Sequence, residues 1–323
     1  MSNSVSPDIS FVVPLYNEAE TLPELADRIA KVCDELGRSY EIIFVDDGSI
    51  DESAAVIEAL HRSDPGIKLI QFRQNYGKSA ALSSGFRSAS GGTVVTLDAD
   101  LQDDPGEVPL LLEKMEQGYD LVSGWKKVRR DPLRRRIASR IYNFFTSLFS
   151  GIRLHDFNCG LKAYRLEVVK NLNVYGELHR YLPVMAHRYG FRVSEVPVRH
   201  HPRRHGRSKF GAARFTRGAF DLITITFLTR FGKRPLHLFG VFGFLSSFSG
   251  FIISFYLAWG KIVYDTDIKN RPLMLLGILL IIVGIQFISI GLLGEMITAF
   301  RTDSETHLIK RTLGWDEASG PQP

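Results

Sequence analysis

Two aspartates set two residues apart, Asp98 and Asp100, close the apolar run that begins at Thr93, and Gln102 follows them. Period-two geometry in an extended strand turns both carboxylates to one side, with Gln102 joining them if the chain stays extended. Oxygen donors gathered so closely suit Mg²⁺ or Mn²⁺, which would bridge a diphosphate and stabilise the charge on a departing nucleotide. Alone, Asp-x-Asp reads equally as a solvated acidic turn, since Asp103, Asp104 and Pro105 come next. Asp46-Asp47-Gly48-Ser49 has the same two readings, because Asp and Gly also build ordinary turns. Recurrence favours chemistry: a polar cluster follows the first apolar run (Pro14-Leu15-Tyr16-Asn17-Glu18), the second and the fourth.

The elements that must position these clusters are strands beginning near Ile9, Glu41, Ile67 and Thr93, separated by helix-patterned segments. The first helix carries Leu22, Leu25, Ile29, Val32 and Leu36 at spacings of three and four. Thr21 and Glu24 form a candidate capping box, and Gly37 marks its end. Further helices are expected over Asp51–Arg62, Ser79–Ser90 and Gly106–Gln117. This βαβα rhythm predicts an α/β fold, an open and mostly parallel doubly wound sheet, whose ligands bind at the C-terminal ends of the strands. There is no G-x-G-x-x-G after the first strand and no G-x-x-x-x-G-K-[ST], so dinucleotide and P-loop readings are weak.

In order and spacing, Pro14-Leu15-Tyr16-Asn17-Glu18, Val45-Asp46-Asp47-Gly48-Ser49, Asn75-Tyr76-Gly77-Lys78 and the segment Asp98 to Pro105 resemble family-2 glycosyltransferases of the GT-A fold. Within that family the chain is similar to the polyprenyl-phosphate glycosyltransferases, both dolichol-phosphate mannose synthases and bacterial bactoprenol glucosyltransferases. The resemblance implies that Pro14, Tyr16, Glu18 and Asp46 line the base and ribose pocket and that Lys78 lies near the donor. It implies too that Asp98, Asp100 and Gln102 hold the diphosphate through the metal. Arg203, Gly206, Ser208 and Lys209 match the family's Arg-x-x-Gly-x-Ser-Lys element. That element is implied to close over donor phosphates, with Arg207 inside it; Arg grips phosphate with paired hydrogen bonds and Lys adds a point charge. A polybasic strip meeting anionic headgroups remains the other reading of this segment. Asp156, in His155-Asp156-Phe157-Asn158-Cys159-Gly160-Leu161-Lys162, matches the family's carboxylate near acceptor and donor sugar. A phosphate monoester is already largely dianionic at neutral pH, with a second pKa of roughly 6. Asp156 is therefore as well suited to positioning as to taking a proton, and a buried structural carboxylate is the third reading.

Lys126, Lys127, Arg129, Arg130, Arg134, Arg135 and Arg136 precede Ile137, Ile141, Phe144, Phe145, Leu148 and Phe149. This reads as an interfacial amphipathic helix offering Arg129 and Arg135 to a lipid phosphate. No DNA- or RNA-binding motif accompanies it, so no nucleic-acid partner is expected.

Between Arg234 and Lys261 lie 26 consecutive uncharged residues, and between Arg271 and Glu295 lie 23. As helices these reach about 39 and 35 Å against a hydrocarbon core of roughly 30 Å. They predict a two-helix transmembrane hairpin over about 235–260 and 272–294. The residues from Arg199 to Arg234 include ten Lys or Arg and one acid, Asp221. By the positive-inside rule this places the catalytic part and both chain ends in the cytoplasm. The start, Met1 to Ser10, has no basic region followed by an apolar run, so no cleavable signal is expected. Two cysteines without metal or redox spacing fit a reducing compartment.

The expected organisation is a GT-A catalytic domain over 1–200, a basic juxtamembrane segment over 201–234, the hairpin over 235–300 and a mobile tail over 301–323. The expected activity is inverting transfer of one sugar, glucose from UDP-glucose by overall resemblance, to an undecaprenyl-type phosphate in a bacterial inner membrane, with a homo-oligomer admitted. UDP-linked amino sugars and GDP-mannose are the alternative donors. A processive synthase would be expected to carry Gln-x-x-Arg-Trp and more spans, whereas a silent nucleotide-sugar binder would not need the intact acidic motifs.

Overall fold

The computed structural model describes residues 6–127, most of 139–199 (141, 142, 145, 149 and 177 apart), 227, 235–264, 272–300 and 309–313. The chain divides into two compact units, Met1–Ile225 with Glu305–Pro323, and Thr226–Ser304.

The first unit is built on an eight-stranded mixed sheet. Its strands are β1 (Ile9–Leu15), β2 (Tyr40–Asp46), β3 (Ile67–Phe72), β4 (Thr93–Thr96), β5 (Leu121–Lys126), β6 (Lys162–Arg165), β7 (Val193–Val198) and β8 (Ile309–Leu313), in the order β7-β5-β6-β4-β1-β2-β3-β8. The pairs β1/β2, β1/β4, β2/β3 and β5/β7 are parallel; β6, between β4 and β5, and β8, on the edge of β3, run antiparallel. The helices are α1 (Leu22–Leu36), α2 (Ser53–Ser63), α3 (Lys78–Ser88), α4 (Val108–Glu116), α5 (Leu166–Asn171) and α6 (Leu182–Arg188). Alternation along β1 and β2 feeds two cores. Phe11, Val13, Leu15, Ile42 and Phe44 pack with α1 and α4, whereas Val12, Ile43 and Val45 pack with α3 and α6.

The four strands and the helix pattern expected from the sequence are present, with a 3₁₀ turn, Pro105–Glu107, leading into α4. Gly37 ends α1 in the left-handed region at φ 61°, as expected. The capping box does not form. The Thr21 hydroxyl donates to the Glu18 carbonyl at 2.9 Å, and Glu24 pairs with Arg28 one turn on. Thr21 itself has near-helical angles, φ −96° and ψ −20°, so its hydroxyl serves the preceding turn. The tail is also not wholly without structure. Ile309–Leu313, inside the segment expected to be mobile, pairs with the open edge of β3, whose unpaired backbone groups would otherwise face solvent.

A polar network joins the strand starts. Glu41 is buried and accepts hydrogen bonds from the Ser10 and Ser90 hydroxyls, the Ser90 N–H and the Lys68 ammonium, the last at 2.9 Å. Burial alone would raise the Glu41 carboxyl, but these donors outweigh it and hold the group below its ordinary value.

The second unit is a hairpin of two apolar helices, α7 (Pro235–Tyr264) and α8 (Pro272–Phe300). Both are long and apolar enough to cross a membrane, over Pro235–Val263 and Pro272–Ile297, with most of their surface open. Glycines bring the two backbones together. A Cβ on Gly243 would stand 2.6 Å from the Gly284 carbonyl oxygen, and Gly250 lies against the Gly277 carbonyl. The Glu295 carboxylate accepts the Leu236 N–H at 3.2 Å, satisfying one of the open donors at the start of α7.

Candidate active site

Three of the loops leaving the parallel strands are tied to one another. The Asn17 N–H donates to the Ser49 hydroxyl at 2.9 Å, the Ile50 N–H returns to Asn17 Oδ1 at 2.9 Å, and the Glu18 N–H reaches the Ser53 hydroxyl at 3.1 Å. Asp47, buried, accepts the Tyr76 and Gly77 N–H groups at 2.7 and 2.9 Å and so anchors the turn in front of α3. Burial raises its carboxyl above the ordinary value against the pull of those two donors. Gly48 sits at φ 74°, where a Cβ would meet the Gln74 carbonyl carbon at 2.6 Å, so no side chain is tolerated between these loops. Among the described residues, Asn17 and Leu101 are the non-glycine ones with positive φ, 56° and 57°. Both stand just beyond strand ends, where strained backbone marks functional loops.

Asp46 is fully buried; one oxygen accepts the Ser49 N–H at 2.8 Å and the other the Gln71 side-chain amide at 3.1 Å. Pro14, Lys78 and Asp98 line one small cavity at the strand ends, together with Asn158, Lys162 and His179. Lys78, the first residue of α3, pairs with Asp98 Oδ1. The Ser79 hydroxyl accepts the His179 backbone N–H at 3.2 Å and meets Nδ1 of the same residue at 2.9 Å.

The extended-strand premise for Asp98, Asp100 and Gln102 is corrected by the structure. β4 stops at Thr96 and the chain turns through residues 99 and 100, with Leu101 left-handed. Asp100 accepts the Gln102 N–H at 3.2 Å in this turn, and of the three only Asp98 lines the cavity. A different carboxylate approaches Asp98. At Gly160 a Cβ would lie 2.5 Å from Asp103 Oδ2 and 2.8 Å from Asp98 Oδ2, so these two oxygens converge on space that glycine alone leaves open. The Thr96 hydroxyl fixes this turn by donating to the Gly160 carbonyl at 2.8 Å. Asp103 is buried and pairs with Lys126 at 3.0 Å. Burial alone would lower the Lys126 ammonium, but the Asp103 carboxylate raises it above its ordinary value. Among the described residues no three His, Cys, Asp or Glu side chains are grouped to hold a metal ion. The two converging carboxylates, Asp98 and Asp103, would supply part of the oxygen shell of a Mg²⁺ or Mn²⁺ ion, and a diphosphate would have to supply more.

Asp156 is buried outside this cavity, one oxygen accepting the Asn158 N–H at 3.1 Å. Tyr16, Glu18 and Gln102 are half-buried on the loops above. Arg129, Arg135, Arg203, Arg207 and Lys209 lie outside the described residues. Sequence reasoning missed Gly160, Lys162, His179 and the Asp103–Lys126 pair. Lys162 alone left a trace, a lysine inside the apolar run Leu161–Tyr164. Burial lowers its ammonium below the ordinary lysine value.

The described residues between 139 and 150 are helical and turned unusually: Asn143 and Thr146 are buried, whereas Phe144 and Leu148 are 64% and 62% exposed. The Asn143 amide donates to the His155 carbonyl at 2.6 Å. An apolar face held outward in this way suits a lipid surface.

The sequence pattern of the family described as Glycosyl transferase family 2 matches residues 10–172. The chain is 34% identical over 322 residues to a dodecaprenyl-phosphate galacturonate synthase of Rhizobium johnstonii, covering 97% of this chain and 95% of that one. It is 36% identical over 297 residues to an undecaprenyl-phosphate 4-deoxy-4-formamido-L-arabinose transferase of Edwardsiella ictaluri, covering 91% and 90%. Among solved structures, glucosyl-3-phosphoglycerate synthase of Mycobacterium tuberculosis, in complex with Mn²⁺, uridine diphosphate and glucosyl-3-phosphoglycerate, shares the fold. That likeness has a TM-score of 0.51 and 21% identity over 69% of this chain and 80% of that one. With the pattern spanning half of the chain and a relative above 30% identity along nearly all of it, the protein belongs to glycosyl transferase family 2 and is a glycosyltransferase.

Proposed function

We propose that this enzyme transfers one sugar from a nucleotide diphosphate donor to a polyprenyl phosphate at the surface of a membrane, with inversion at the anomeric carbon. The observation that carries this reading is the convergence of Asp98 and Asp103 oxygens on the gap at Gly160, beside Lys78, at the C-terminal edge of the sheet. The relatives' names and the two apolar helices support a polyprenyl phosphate acceptor and a bilayer setting.

A divalent ion would be held by Asp98 and Asp103, with Asp100 and Gln102 on the adjoining turn, and would neutralise charge on the departing diphosphate. Lys78, paired with Asp98, stands at the start of α3, whose N-terminus favours anions. Pro14, Tyr16, Glu18 and the loops braced by Asp46 and Asp47 form the nucleoside side of the site. The family resemblance assigns Arg203, Arg207 and Lys209 to the donor phosphates, and the basic amphipathic pattern assigns Arg129 and Arg135 to the lipid phosphate. The acceptor arrives as a phosphate with a second pKa near 6. No base is therefore required, and the buried Asp156, which holds the Asn158 N–H, has a positioning role. The catalytic unit and both ends lie in the cytoplasm, by the basic run before the first span.

Overall resemblance points to glucose. The two relatives above are named for galacturonate and 4-deoxy-4-formamido-L-arabinose, so the donor is a nucleotide sugar whose glycosyl part is decided by assay. The test is transfer by the purified full chain from UDP-glucose, UDP-galacturonate and GDP-mannose to undecaprenyl phosphate. Labelled lipid from at least one donor, abolished by EDTA and restored by Mn²⁺, is the expected result. Donor binding without transfer to either undecaprenyl or dolichyl phosphate would replace it with a silent nucleotide-sugar binder.

A further inference from the structure

Three lysines approach the carboxylates at the strand ends, and two of them are neutralised internally, Lys78 by Asp98 and Lys126 by Asp103. The third, Lys162, is the most deeply buried, at 4% exposure. Among the described residues it has no carboxylate within ion-pair distance, and its one hydrogen bond goes to the Cys159 carbonyl. An ammonium carries three N–H donors, so two remain unmet in surroundings that penalise an unpaired charge.

Its place in the sheet says what those donors face. Lys162 opens β6 opposite Thr96 of β4, and the cavity it lines also holds Lys78, Asp98, Asn158 and His179. The free space is about 20 Å³. That admits roughly one water-sized group, too little for a sugar ring and enough for a single oxygen. The Cys159 bond and the Thr96 bond to Gly160 keep the ammonium beside the Asp98–Gly160 gap.

We propose that Lys162 is a substrate ligand whose ammonium receives one anionic oxygen in this cavity. That oxygen is a phosphoryl oxygen of donor or acceptor, or a carboxylate oxygen of the transferred sugar. The proposal rests on the transfer reading above and assigns Lys162 the charge partner that the fold withholds.

The test uses the full chain in detergent with Lys162→Met, and with Lys162→Gln, which removes the charge but keeps a donor toward Cys159, in case the first does not fold. Three ratios separate the sources. Affinity for UDP over uridine reads donor phosphate, transfer from UDP-galacturonate over UDP-glucose reads a sugar carboxylate, and KM for undecaprenyl phosphate reads the acceptor. One of the three is expected to worsen about tenfold to a hundredfold, the size of a lost charge-assisted hydrogen bond. Folded variants that keep all three within about twofold of the parent would overturn the proposal. So would a uniform loss that weakens uridine as much as UDP, because that marks a purely structural lysine. If the parent chain itself transfers no sugar, the transfer reading fails, while the UDP-to-uridine ratio still judges Lys162 on donor phosphate.

Discussion

Gly160→Ala is expected to cut transfer about a hundredfold while leaving the fold intact. The added methyl would stand 2.5 Å from Asp103 Oδ2 and 2.8 Å from Asp98 Oδ2, closer than packed atoms approach, so both carboxylates must move. The backbone at Gly160 is not in the left-handed region, so the cost comes from displacing Asp98 and the buried Asp103 against their lysine partners. Stability should fall by about 1–3 kcal/mol, whereas misplacing reacting groups by about 1 Å costs on the order of 10² in rate. Thermal melting and kcat/KM, measured on the same preparation, separate the two effects. An alanine enzyme with parental activity would show that the gap at Gly160 holds no reacting group.

The largest effect on stability is expected at the opposite end of the strands. Glu41→Ala removes the buried carboxylate that Ser10, Ser90 and Lys68 share, and with it the hydrogen bonds that each donates to it. Hydrogen bonds to a charged group are worth about 1.5–3 kcal/mol each. The pH dependence follows from the direction of the shift. Glu41 is held below its ordinary value in the folded chain, so its stabilisation is complete above the unfolded carboxylate value of about 4.3 and is lost as pH falls through the lower folded value. Unfolding of the parent should thus steepen in acid, and Glu41→Ala should flatten that dependence. Transfer by the folded variant at neutral pH should match the parent, since the network lies at the strand starts. Equal acid sensitivity in parent and variant would contradict this assignment.

Much of this architecture could be read from residue order because its signals are local. β1 to β4 are short runs of β-branched and aromatic residues, α1 has its apolar stripe and terminal glycine, and the two spans are defined by length without charge. β5, β6 and β7 carried no such signal. Leu121–Lys126 contains Gly124 and ends in lysine, Lys162–Arg165 has four residues with a charge at each end, and Val193–Val198 contains Pro197. Their pairing is decided by the sheet edge that β4 offers.

The acidic clusters were legible as clusters but not as geometry. Alternation requires an extended chain, and the turn at Leu101 breaks it, which is why Asp103 rather than Asp100 converges with Asp98. Lys162 and His179 stand 64 and 81 residues beyond Asp98. No local pattern could join them to it: the insertion of β6 beside β4 brings Lys162, and the hydrogen bonds to Ser79 of α3 bring His179.

On the proposed function, the carboxylates at the strand ends hold a nucleotide diphosphate through a divalent ion. The decisive experiment is calorimetric titration of UDP into the full chain, with Mn²⁺ and with EDTA, for the parent and for Asp98→Ala. UDP should bind the parent at least tenfold more tightly with Mn²⁺, and that gain should vanish in Asp98→Ala, a difference of about 1.4 kcal/mol or more. Equal UDP affinity with and without metal, or an undiminished metal effect in Asp98→Ala, would contradict it.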